Sequence, residues 1–198
     1  MLKVEHLEQF NISGALRGMR NPLNSWDRSD STSDHVGKND LDLMQRLYKA
    51  GPEHRKYLRQ IFVSLDITAP LYWWKEFDTY KVGTTSNSCS TMHTLHKRDL
   101  TPEDFSIEYL DDDSLNTFNE YLEMLNSLRR SYITTKNKNM WYKLIQMLPS
   151  SYNQKRTITM SMENVANIVN QREHHKLDEW HTLVDAFKNG TIIYEIVE

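Results

Sequence analysis

The strongest pattern along this chain is a change of period. From Gln60 onward apolar and polar positions alternate, with Ile61, Val63, Leu65 and Ile67 on one side and Phe62, Ser64, Asp66 and Thr68 on the other. Period two with branched residues on one side predicts a strand that buries one face. Upstream, Leu41, Met44, Leu47 and Tyr48 recur at helical spacing. They predict a helix over 40–50, capped by Asn39 or Asp40 and stopped by Gly51. Downstream, Pro70 suits a first helical turn, and Leu71, Trp74, Phe77 and Asp78 lie about one turn apart before Gly83. This aromatic stripe reads first as core or subunit interface, and second as a cofactor platform.

The later chain is mostly helical in pattern. Thr101-Pro-Glu-Asp is a capped helix start. Ser114 is expected to cap a helix reaching Tyr132, with Leu115, Phe118, Tyr121, Leu122, Leu125 and Leu128 inward. The acidic run Asp111 to Asp113 answers that helix's dipole better than it answers a metal. A second helix covers 137–147 and ends at Leu148-Pro149. Residues 156–160 alternate as a short strand, and Ser161 caps a helix with Val165, Ile168 and Val169 on its apolar face. The run from Arg172 continues into a final helix closed by Gly190, and 192–197 reads as a last strand.

At the other end, 1–10 reads as a first strand with Leu2, Val4 and Leu7 as its apolar residues. Residues 14–39 lack periodicity and are expected to form an irregular loop holding Arg17, Arg20, Trp26 and Arg28 among turn formers. Arginine beside tryptophan suits an anionic, planar ligand; the alternative is a mobile surface loop. Few strands and long late helices place the chain in the α+β class, without repeats or low-complexity tracts.

At 198 residues the chain suits a single domain over 1–198. A net charge of -3 with both signs interspersed argues against binding extended nucleic acid through a basic face, but not against a small anion. One cysteine excludes an internal disulfide framework and a cysteine zinc cluster. No apolar run reaches the length of a membrane span, and residues 1–25 lack a signal-peptide centre, so a cytoplasmic protein is expected.

Chemistry concentrates after the aromatic stripe. From Gly83 to Thr91 there is no charge and no large side chain, an unusual composition for a solvent loop. It allows close approach of backbone and hydroxyls to a ligand such as a phosphate; the plain alternative is an ordinary polar loop. Cys89 in its middle becomes a nucleophile if His93 or His96 lowers its pKa, and otherwise is a packed thiol. His174 and His175 are adjacent and point to different helix faces, and His175 with Glu179 lacks further ligands, so no metal is expected. There is no glycine-rich dinucleotide fingerprint and no phosphate-loop lysine.

The order of elements carries a resemblance. Gly51-Pro-Glu53-His54, a strand, an aromatic helix, a polar loop, Leu148-Pro149, then Thr157-Ile-Thr-Met-Ser-Met-Glu-Asn-Val-Ala-Asn-Ile-Val-Asn-Gln-Arg172 and a final helix resemble the flavin-dependent thymidylate synthase family, ThyX, over about 50–188. The resemblance implies a mixed sheet with long helices, a homotetramer, and FAD and dUMP held at sites shared between subunits. It also implies methylation of dUMP with folate and a reduced nicotinamide cofactor.

The family signature runs Arg-His-Arg, two residues, Ser, one residue, Asn-Glu, one residue, Ser, one residue, Arg. Laid without gaps on this chain, its triplet falls on Thr79, Tyr80 and Lys81, its first serine on Thr84, and Asn-Glu on Ser86 and Asn87. Its second serine falls on Cys89, or on Ser90 after a slip of one, and its last arginine on Thr91. The family's flavin-gripping triplet thus keeps one charge, and lysine does not replace a bidentate arginine. Arg172 matches a family arginine that contacts the pyrimidine nucleotide, and Asn167 an asparagine near the flavin. Asp178 stands where the family has a glutamine.

By this resemblance Cys89 and Ser90 are the catalytic candidates. Lys81, Ser86, Asn87, Ser88, Thr91 and Arg172 are the nucleotide-binding ones, and His54, Tyr80 and Asn167 those for FAD. Two function classes follow: a nucleotide-binding relative without the flavin reaction, or a divergent flavin-dependent enzyme. A viral nucleotide-sequestering protein or an empty scaffold stands behind them.

Overall fold

A computed structural model describes residues 2–32 and 35–197. Met1 of the expected first strand, Ser33 and Asp34 of the expected loop, and Glu198 lie outside the described residues. Strand β1 is Lys3–Phe10, followed by helix α1, Ile12–Arg20, and α2, Lys38–Ala50. Strand β2, Phe62–Pro70, leads into α3, Leu71–Phe77. Strand β3, Thr84–Ser88, and α4, Thr91–Thr94, come next. The long α5, Asp112–Thr135, and α6, Lys138–Gln146, precede strand β4, Asn153–Ser161. Helices α7, Met162–Arg172, α8, Asp178–Gly190, and α9, Ile193–Val197, finish the described chain. This is the α+β composition expected. No helix among the described residues is long and apolar enough to cross a membrane.

The four strands form one sheet in the order β1-β2-β4-β3. Asp66 bonds to Thr157 and Ser64 to Thr159, while Ile61 and Leu71 meet Met162 and Tyr152 through the backbone. Numbers fall on one strand as they rise on the other, so β2 and β4 run antiparallel. Gly83 with Ser161 and Cys89 with Lys155 give the same sense to β3 and β4. The resemblance implied a mixed sheet; these two pairs are both antiparallel.

The chain divides into two compact units. The first holds Ile67–Thr79 and Asn87–Arg156 with the start of β1. Its α5 packs on α6, and Leu95, Leu100, Phe105, Leu122, Leu125 and Leu144 form a buried cluster. In the same unit Trp73, Trp74 and Phe77 of α3 are buried, with ring centroids about 5 Å apart. The second holds Val4–Asp66, Tyr80–Ser86 and the chain from Thr157 on. There α7 packs on α8, and α9 on α2. Ile61, Val63 and Leu65 are fully buried, as period two required, together with Ile168, Trp180, Leu183 and Phe187.

Several local expectations are corrected. The loop over 14–39 is shortened at both ends, by α1 and by the start of α2 at Lys38. Ala15, Leu16 and Met19 supply the buried face of α1, which Gly14 and Gly18 obscure by weakening the helical signal. Gly37 stands at the N-cap of α2; Asp30 reaches in to accept from the Asn39 and Asp40 amides. Thr101 does form a capping box with Asp104, but over a single 3-10 turn. Asp111, not Ser114, caps α5 by accepting from the Ser114 amide; hydrogen bonds from the Ser114 hydroxyl and then its amide hold the carboxyl below the usual range. The last segment is helix rather than strand, because Ile193 and Ile196 lie a turn apart and are both buried. Ser161 caps α7 as expected.

Candidate functional site

In the second unit, Arg172 ends α7 inside an aromatic bracket. Its guanidinium carbon lies 4.5 Å from the Trp180 ring centre and 5.7 Å from that of Tyr80. Arg172 Nε donates to the Tyr80 hydroxyl at 3.0 Å, and that hydroxyl donates to Gln171 Oε1 at 2.9 Å. His175 packs edge-on against Trp180. Stacking on an indole holds a guanidinium in a fixed plane, an arrangement suited to an oxyanion or a nucleobase edge. Asn167, on the same helix, is half-buried.

Asn164, which the sequence did not single out, anchors the turn before β3. Its amide nitrogen donates to Val82 O at 2.5 Å and to Thr84 Oγ1 at 2.8 Å. Gly83 between them sits at φ +71, the left-handed region that favours glycine. Lys81 and Ser86 on either side of this turn are exposed. His54 stands on the 3-10 segment Pro52–Arg59. It borders a cleft of about 470 Å³ with Asn21, Glu53, Lys56 and Gln60.

In the first unit, the uncharged segment from Asn87 on continues the end of β3 rather than forming a free loop. Asn87 and Ser88 are exposed on β3. The Cys89 amide donates to Lys155 O at 2.8 Å, and its carbonyl accepts from Gln154 Nε2 at 3.0 Å. The same Gln154 nitrogen donates to Thr91 Oγ1, and Ser90 O accepts from Thr94 Oγ1 at 2.7 Å. The exposed thiol of Cys89 meets the Thr94 hydroxyl at 3.8 Å, while His96 turns its ring edge-on to Tyr132. The side-chain contact recorded for the thiol is thus with a threonine hydroxyl. Arg156, another residue the sequence passed over, lies 4.1 Å over the Trp74 ring and pairs with Asp78 at 2.8 Å. Trp74 and Asp78 are far away in sequence, so no local pattern marks these contacts. Among the described residues, no group of three or more His, Cys, Asp or Glu is placed to hold a metal ion.

No protein-family model and no curated protein sequence matches the chain. Solved structures do match. ThyX from Helicobacter pylori with FAD and dUMP aligns with a TM-score of 0.76 at 16% identity, over 100% of this chain and 97% of that one. A second structure of that enzyme, also complexed with FAD and dUMP, aligns at 0.75 and 16% identity over 98% and 97%. The UMP/dUMP methylase PolB from Streptomyces cacaoi, bound with 5-Br dUMP, aligns at 0.67 and 11% identity over 100% and 94%. The resemblance carried by Glu53-His54, Leu148-Pro149 and the run to Arg172 is thus borne out as architecture: this chain has the fold of the flavin-dependent thymidylate synthases.

Proposed function

We propose that this chain is a nucleotide-binding protein built on the flavin-dependent thymidylate synthase fold. It takes a uridine-type nucleotide in pockets completed by a homotetramer, in the cytoplasm, without the FAD-dependent methylation of dUMP. Alignment over the whole chain supports reading 1–198 as a single domain. The carrying observation is Arg172, the position that the resemblance assigns to the pyrimidine nucleotide, oriented by Trp180 and Tyr80. The nucleotide ligands of the two matched enzymes support the ligand class. Lys81, Ser86, Asn87, Ser88 and Thr91 supply further polar groups around the β3 segment, and Cys89 and Ser90 remain positions where chemistry would sit.

FAD fits these residues poorly. A flavin diphosphate needs cations, yet the triplet positions hold Thr79, whose hydroxyl turns back to Glu76 O, Tyr80, whose hydroxyl is engaged by Arg172 and Gln171, and the single cation Lys81. His54 and Asn167 add no fixed charge.

Thermal shift tests the reading, since a ligand bound only by the folded state raises the melting temperature. UMP or dUMP should raise it, and Arg172→Lys should weaken that effect about tenfold or more in dissociation constant, because lysine cannot present a flat, stacked fork. FAD should neither colour the purified protein nor shift its melting. A yellow protein stabilised by FAD would establish the divergent flavin enzyme instead. Monomers in light scattering would overturn the shared pockets.

A further inference from the structure

The segment 17–32 carries a second arginine–tryptophan group, within the second unit, that the proposed nucleotide site does not use. A groove of about 260 Å³ opens between α1 and the turns that follow it, lined by Arg17, Arg20, Trp26, Ser29 and Ser31. That volume falls below the roughly 300–1,000 Å³ of drug-sized sites, so its occupant is small.

Its floor is a buried ion pair. Arg20 Nε donates to Asp40 Oδ1 at 2.6 Å, and the hydroxyls of Ser29 and Ser31 donate to Asp40 Oδ2 at 2.7 and 2.5 Å. Arg20 Nη1 donates to Ser25 O at 3.2 Å. Nη2 of this buried guanidinium has no acceptor among the described residues, and neither does the exposed Arg17. Asp30 is committed to the α2 amides, so it does not quench them. At the rim, Trp26 is 52% exposed, yet its Nε1 is tied to Asn21 Oδ1 at 2.9 Å. An exposed indole tethered by its one donor presents a flat apolar face in a defined direction. Two guanidinium groups with unused donors beside a fixed ring surface match an anion carried on an aromatic ring.

We propose that this groove binds a small aromatic anion, a single flat ring bearing one phosphate or carboxylate. The ring lies on Trp26, and the anion takes the free donors of Arg17 and Arg20.

The test follows the five tryptophan indole N–H resonances of ¹⁵N-labelled protein, with Trp26 assigned by its loss in Trp26→Phe. Phenyl phosphate should move the Trp26 resonance saturably, whereas inorganic phosphate or phenol alone should not. Arg17→Ala should weaken the titration about tenfold or more, as loss of a charge-assisted contact does. Arg172→Ala should leave it unchanged, which separates this groove from the proposed nucleotide site. The proposal is overturned by a Trp26 resonance that stays still at saturating phenyl phosphate, by one that moves equally in Arg17→Ala, or by one that phosphate alone moves as far.

Discussion

Arg20 Nε lies 2.6 Å from Asp40 Oδ1, with the two side chains 5% and 0% exposed. The pair ties the last turn of α1 to the first turn of α2. Removing one partner strands the other charge away from water, so Asp40→Ala should cost about 3–5 kcal/mol in urea unfolding. Arg20→Met combined with Asp40→Leu should recover much of that loss.

The same carboxylate sets an acid limit. Burial alone would raise its pKa, but the hydrogen bonds from Ser31, Ser29 and Arg20 outweigh it and leave the value below the ordinary 3.8. A lowered folded pKa means stability that is present above the unfolded value and lost as pH falls through the folded one. The urea midpoint should therefore fall below about pH 4, and Asp40→Asn should remove that part of the slope.

In the first unit, Asn126 is buried and bonds both backbone groups of Leu100, accepting from its amide at 2.8 Å and donating to its carbonyl at 2.9 Å. Asn126→Ala leaves two buried backbone groups without their partner. The expected cost is about 2–4 kcal/mol, from roughly 1–3 for each unsatisfied group less local relaxation, read in chemical denaturation.

Gly83 holds a left-handed turn, and an added Cβ would stand 3.4 Å from Ser161 Oγ. Gly83→Ala should lower stability by about 1–2 kcal/mol, and Gly83→Asn by less, since asparagine tolerates that region. Equal losses for the two would show that contact rather than backbone conformation is limiting.

Arg156 makes three contacts at once, with Trp74, Asp78 and Gln154. A double-mutant cycle of Arg156→Ala with Trp74→Phe should give a coupling of about 0.5–2 kcal/mol, persisting at high salt. The Arg156–Asp78 coupling should shrink with salt, because Asp78 is half-exposed.

Much of the fold was legible in the sequence because local geometry dictates it. Alternation at Ile61, Val63 and Leu65 is a strand whatever covers it, the Ser161 hydroxyl caps whatever helix follows, and the leucines of α5 repeat at helical spacing. The order of these elements carried the family likeness. The remainder depended on partners distant along the chain. β3 has no apolar rhythm because most of its side chains are exposed, so only its pairing with β4 makes it a strand. The final isoleucines suit either period, and packing of α9 against α2 chose the helix. The sequence marked Arg172 as a candidate, but not the indole that orients it; it marked Arg17, Arg20 and Trp26, but not the carboxylate that fixes Arg20 in place. Periodicity records which face of an element is buried. The orientation of a charged side chain is set by what faces it across the fold, and only the tertiary structure brings those groups together.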